Sequence, residues 1–229
     1  MSNRNKLLAP FARRESSRAI PERVREVVDR FEIRSERLIG WVQLGIGLFI
    51  TVLYLVSPRP VDSEMQHPVP ISLAVYLCFT ALRLFLSYRI RLPAWFLGLS
   101  VLVDIALLYG LVWYFHVQYG QGASFSLKAP TVMYVFVFIA IRAFRFDPAW
   151  VLATGAVAAL GWVGLTLYAI DAEGTEAITR SFVAYIHGDG ILVGAEIDKI
   201  VAILVLTTVL ALALVRAKRL LAAATLEHI

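Results

Sequence analysis

Apolar residues in this chain come in long continuous blocks separated by short charged or Pro/Gly-containing stretches. They do not alternate with polar residues, as the strands of a membrane barrel would require. Crossing ~30 Å of hydrocarbon at ~1.5 Å per residue takes about 20 mainly apolar residues in helical form. Six blocks meet that length, roughly 39–57, 70–88, 94–115, 126–144, 149–170 and 199–216. The predicted fold is an all-α membrane protein with six transmembrane helices. Pro93 and Pro148 stand near the starts of two spans, where a missing N–H costs nothing.

The pattern before the first block is different. In IPERVREVVDRFEIRSERL (20–38), Ile20, Val24, Val27, Phe31 and Leu38 recur at helical spacing and the other face is Arg, Glu and Asp. This predicts an N-terminal cytoplasmic amphipathic helix, lying on the anionic inner leaflet or packing on a partner. Residues 1–19 have no periodicity and predict a disordered basic tail. Residues 217–229 predict the start of a cytoplasmic exit helix: RAKRLLAAATLEHI (216–229) is cationic at the membrane edge and then rich in Ala and Leu.

Composition agrees with the blocks. Of 229 residues, 59% are apolar and 17% charged, against about half and a quarter in a soluble domain. The single cysteine, Cys78, permits no intrachain disulfide. The basic, polar first residues do not resemble a cleavable signal peptide.

Charge sets an expected orientation. One side collects the basic N-terminal segment, RIRLP (89–93), RAFRFDP (142–148) and RAKR (216–219); the other has only Arg59, Lys128, Arg180 and Lys199. By the positive-inside rule both termini are cytoplasmic, in a multi-pass protein of the inner (plasma) membrane, and loops 58–69, 116–125 and 171–198 face outward. Trp41, Trp95, Trp113, Tyr114, Trp150 and Tyr168 fall at the predicted interfaces as anchors.

Two charges interrupt the blocks. Asp104 lies mid-span in LSVLVDIALL, and Arg83 in the second span is close enough to reach toward it. An intramembrane charge is costly and faces the bundle interior, so an Asp104–Arg83 polar pair is expected. In the fifth span, Gly155 and Ala159 are four apart, with Gly161 and Gly164 close by. Small residues let backbones approach, and packing within the bundle is the expected use.

Candidate chemistry is sparse. His67, His116 and His187 fall on the outer side and His228 in the cytoplasmic tail, so no histidine pair sits in a span to hold haem. His116, His187, Asp189, Glu196 and Asp198 are of types that bind divalent ions, but their spacing is not diagnostic and no metal site is assigned. There is no phosphate-cradling glycine loop and no nucleophile–base motif. No catalytic residues and no cofactor are expected in this chain, and nothing points to nucleic acid.

Several stretches together resemble a known family. FHVQYGQGASFSLKAPTVMYVFVFIAIRAFRFDPAWVLATG (115–155), LGW (160–162), ITRSFVAYI (178–186), ILVGAEIDKI (191–200) and RAKRLL (216–221) resemble the six-helix N-terminal membrane anchor of bacterial class III adenylate/guanylate cyclases. The resemblance implies a homodimer, a cytoplasmic cyclase domain beyond the exit helix that makes cAMP, and an anchor that passes a signal or a dimer geometry to it. That catalytic domain is absent from these residues, and the helix is expected to continue. A ligand-sensing outer surface is then expected at His116, Gln118, Tyr119, Lys128, His187, Glu196 and Asp198. The alternatives are a structural membrane anchor without ligand, or a small transporter or channel.

Overall fold

The computed structural model describes residues 22–56, 68–187 and 190–226. The expected tail 1–19 and the residues His67, Asp189 and His228 lie outside them. Among the described residues the chain is helical, apart from one isolated parallel bridge between Ile178 and Ile191.

Among the described residues seven α-helices follow one another: α1 (Glu22–Val56), α2 (Pro68–Arg89), α3 (Ala94–Tyr119), α4 (Tyr134–Arg142), α5 (Pro148–Glu173), α6 (Phe182–His187) and α7 (Val193–Leu226). Five of them, α1, α2, α3, α5 and α7, contain segments long and apolar enough to cross a membrane. The chain is a multi-pass helical membrane protein. The expected amphipathic helix and first span are one continuous α1, since no proline or capping residue separates Leu38 from Trp41. The last span starts at Val193 rather than residue 199.

The expected fourth span, 126–144, is not one helix. Pro130 falls inside it. The residue before a proline is pushed out of the helical region, and Ala129 is extended, with φ −61° and ψ 123°. The chain forms 3-10 turns at Ala123–Lys128 and Pro130–Met133, then the nine-residue α4, then a 3-10 turn at Ala143–Arg145. The expected outward loop 116–125 is divided between the end of α3 and the first of these turns. Gly120 ends α3 in the left-handed conformation, with φ 61°, and Ala123, Ser124, Ser126, Leu127 and Ala129 are buried. The Ser124 N–H donates to the Glu173 carboxylate at the end of α5, at 2.7 Å.

This broken segment nevertheless returns along the length of its neighbours. Helices α3 and α5 run in the same direction: Tyr109 packs on Trp162 and its hydroxyl donates to the Ala158 carbonyl at 2.7 Å, and further along Trp113 and His116 meet Tyr168. The segment starts beside Glu173, at the α5 C-terminus, and ends with Arg145 over the Trp150 ring, at the α5 N-terminus.

Two antiparallel pairs flank this centre. In α1/α2, Gly47 faces Tyr76 and Leu77, Gly40 faces Leu84, and Trp41 donates to the Tyr88 hydroxyl. In α5/α7, Gly155 lies against Thr207 and Trp162 against Glu196. A Cβ on Gly155 would come within 2.1 Å of the Thr207 hydroxyl, so a glycine is what permits that approach. Gly155, Ala159 and Gly161 serve packing inside the bundle, whereas a Cβ on Gly164 would meet nothing within 4 Å. The most apolar window of α3 is 44% buried, against 22% for those of α1 and α7. Helix α3 is therefore the core, and the apolar outer faces of α1 and α7 are left for lipid.

Candidate functional site

Polar side chains gather in two places, one toward each end of the bundle. The first is built on helical periodicity. Glu36 and Gln43, seven apart on α1, share the face that also carries Gly40 and Gly47. Tyr76, Thr80, Arg83, Leu84 and Ser87 form the buried face of α2. Asp104 comes from α3, Arg142 from the last turn of α4, and Arg145 from the 3-10 turn after it.

These groups form a continuous network. Arg83 donates one nitrogen to Gln43 Oε1 at 2.5 Å and another to Glu36 Oε2 at 2.8 Å. Gln43 donates to Asp104 Oδ2 at 2.6 Å. Arg142 pairs directly with the same carboxylate oxygen. Arg145 closes the far side on Glu36 Oε1 at 2.8 Å. All but Arg145 are buried, Asp104 and Arg83 to 1% exposure. Asp104 and Arg83, expected as a pair, are therefore linked through Gln43, and the direct partner of Asp104 is Arg142. The network ties α1, α2, α3 and the broken segment together. An ion pair taken from water is costly to assemble but costlier to break, because one charge is then left alone.

The second place is at the first turn of α7. Glu196 is 1% exposed, and both its oxygens are occupied. Oε2 accepts from Trp162 Nε1 at 3.0 Å and from Lys199 at 2.9 Å; Oε1 accepts from the Tyr185 hydroxyl at 3.1 Å and from Lys199 at 3.0 Å. Lys199 also donates to the Leu127 carbonyl at 2.6 Å and stands 4.8 Å from the centre of the Trp162 ring. Lys128 donates to the Gly190 carbonyl at 3.1 Å, with the Tyr185 ring 5.1 Å away. Backbone bonds from Thr179 to Ile191 and from Ile191 to Ala177 hold residues 177–179 against the start of α7 beside this cluster. Burial first, then the neighbouring Glu196 carboxylate, raises the pKa of the Tyr185 phenol above its ordinary 10.0. The folded state thus holds that proton more tightly, and the corresponding stability is present below pH 10 and fades as pH rises further.

The seven residues expected to sense a ligand divide among four surroundings. Glu196 and Lys128 join the second cluster, within reach of Tyr185. His116 bonds to the Trp113 carbonyl and packs on Trp113 and Tyr168, 5.4 and 6.3 Å between ring centres. Tyr119 is 4.9 Å from Phe115 and 5.8 Å from Phe125 in an aromatic group, with Gln118 half-buried beside it in sequence. His187 and Asp198 are exposed. No group of three His, Cys, Asp or Glu among the described residues is placed to hold a metal ion.

Sequence reasoning missed Gln43, Glu36, Arg142, Arg145, Trp162 and Tyr185. Some signal was present. Gln43 is a lone amide in an apolar run and lies seven residues from Glu36, while Arg142 and Arg145 carry weight in the orientation count. For Tyr185, set in a short helix between spans, the sequence holds no such sign. Compared with protein-family models, with curated proteins and with solved structures, the chain matches none.

Proposed function

We propose that this chain is the membrane anchor and regulatory domain of a class III adenylate cyclase, with α7 as its output element. The observation that supports this most is α7 itself. It runs unbroken for 34 residues from the Glu196 cluster to Leu226. At ~1.5 Å per residue that is about 50 Å, roughly 20 Å more than the hydrocarbon needs. One rod thus joins a polar cluster at one end of the bundle to the segment resembling a cyclase exit helix at the other. The resemblance in 115–155, 178–186, 191–200 and 216–221 supplies the cyclase assignment.

On this reading the chain crosses the plasma membrane six times, with the 123–145 segment as a broken fourth crossing and both termini in the cytoplasm. Two copies bring two exit helices together, and cyclase domains beyond them make cAMP. The outer surface around His116, Gln118, Tyr119, Lys128, His187, Glu196 and Asp198 receives the signal. A ligand shifts the output only by its differential affinity for two packings of α7. The saturated bonding of Glu196 and Lys199 favours a second reading, a static anchor in which this cluster is a clasp and nothing is sensed.

A class III catalytic domain fused after Ile229 separates these readings. With Glu196→Gln in the fused protein, cAMP formation in membranes changes severalfold if the cluster feeds α7. Unchanged output at unchanged expression supports the static anchor. A catalytic domain inactive on this anchor but active on an unrelated six-helix one contradicts the cyclase assignment.

A further inference from the structure

Of the residues in the short helix α6, only Tyr185 enters a polar cluster. The helix is nonetheless a defined element. The Ala184 N–H donates to the Ser181 hydroxyl at 3.3 Å, which caps its first turn, and the Tyr185 N–H donates to the Ser181 carbonyl at 3.1 Å. At about 100° per residue, Phe182, Ile186 and Val183 fall on one continuous stripe, with Tyr185 beside it. The Tyr185 hydroxyl donates to Glu196 Oε1 at 3.1 Å and accepts from Lys199 at 3.2 Å, which ties α6 to the first turns of α7. The stripe meets nothing comparable: Phe182 is 60% exposed, Val183 65% and Ile186 60%. Burying side chains of this size is worth roughly 1.5–3 kcal/mol each, so this face is costly to leave in water.

The depth of α6 follows from α7. The basic run RAKR (216–219) marks one edge of that span. The hydrocarbon takes about 20 helical residues, and counting back from Arg216 by that number reaches Glu196. The Glu196 cluster therefore lies at the opposite hydrocarbon boundary, and the Tyr185 bonds hold α6 at the same depth. Two neighbouring features mark the same level. Ile197 and Val201 are exposed on α7, so its lipid-facing surface begins here. On α5, Trp162 meets Glu196, and Tyr168, less than two turns further along, packs with Trp113; Trp and Tyr are the residues that membrane–water interfaces favour.

We propose that α6 is an interfacial helix, seated on the leaflet at the Glu196 end of the bundle, with Phe182, Val183 and Ile186 in the boundary between headgroups and acyl chains. Ser181 and His187, at its two ends, stay exposed. The leaflet thereby helps to hold Tyr185 over Glu196. A second copy of the chain is a poorer occupant of this face. Three side chains of one short helix supply much less than the ~800 Å² per partner of a specific protein interface. The headgroup boundary requires no such area and accepts an isolated apolar stripe. This placement needs only α7 as a span and is independent of any cyclase.

The test uses the full chain reconstituted in phosphatidylcholine vesicles. Single nitroxide labels are attached to Phe182→Cys, Val183→Cys and Ile186→Cys, each in a Cys78→Ser background. Glu176→Cys, on an exposed 3-10 turn, is the water reference, and Val205→Cys, on the exposed apolar face of α7, is the lipid reference. Molecular oxygen concentrates among the acyl chains and a charge-neutral nickel chelate in water. For a helix ~5–10 Å into the interface, the oxygen-to-nickel collision ratio at all three positions should be at least about threefold above that at Glu176 and below that at Val205. All three side chains are exposed, so cysteine there removes no core packing. Ratios short of that margin would leave the stripe in water. Shielding from both reagents, with spin–spin broadening, would put a second copy on it. Either result would overturn the proposal.

Discussion

The two polar clusters solve the same problem with different materials. The Asp104 network uses three arginines, two carboxylates and an amide drawn from α1, α2, α3 and the 123–145 segment. Arginine stays charged and bonds through several fixed donors at once, so one guanidinium can bridge two partners. The Glu196 cluster is built around one carboxylate and one ammonium three residues apart on α7, with an indole and a phenol completing it. The Lys199 side chain is 26% exposed, against 4% for Arg142. The difference separates holding from adjusting. The first cluster fixes how four segments meet and cannot open without stranding a charge in the core. The second joins α7 to a short helix at the edge of the bundle, and its cation, Lys199, is the member that water can reach.

That contrast can be broken in two steps, and the larger effect belongs to Asp104. Replacing Asp104 with Leu leaves Arg142 buried without its counter-ion and Gln43 without its acceptor. Removing one partner of a buried pair costs about 3–5 kcal/mol. Thermal unfolding in detergent should show a large loss of stability, or no folded protein. Asp104→Asn keeps the amide bond to Gln43 and should fall between this variant and the parent. If Asp104→Leu unfolds at the parent temperature, the network does not hold these segments together.

The smaller effects belong to the Glu196 cluster. Glu196→Gln retains an acceptor for Trp162 but leaves Lys199 to solvent and the Leu127 carbonyl, at a cost of about 1–2 kcal/mol. Tyr185→Phe removes one hydroxyl while Glu196 Oε1 keeps its bond from Lys199, and should cost about 0.5–1 kcal/mol in the same assay. A loss from Glu196→Gln as large as that from Asp104→Leu would erase the distinction between the clusters.

Much of the architecture is legible in the apolar blocks, because a span must satisfy its backbone within itself and so announces its length. Five of the expected blocks are long, apolar helices. The block at 126–144 departs from a continuous helix for a local reason: its mean apolarity is that of a span, but Pro130 denies Ala129 a helical conformation. A proline inside an apolar run carries more information than the run's average. Charge pairing was legible only in outline. Asp104 in mid-span required a buried partner, and Arg83 was the nearest cation in the neighbouring span. The choice of Arg142 depends on how far the broken segment carries it back along α3, which is a tertiary fact. The Glu196 cluster depends on α6 folding back over the start of α7 so that Tyr185 meets Glu196, and neither periodicity nor spacing encodes that.

On the proposed six-crossing reading, the segment between α3 and α5, though broken, carries the chain from one side of the membrane to the other. Single cysteines at Gln121 and at Asp147, each in a Cys78→Ser background, test it through labelling by a membrane-impermeant maleimide in right-side-out and inverted vesicles. Gln121→Cys should label in right-side-out vesicles and Asp147→Cys in inverted ones. Labelling of both positions from the same side would contradict it.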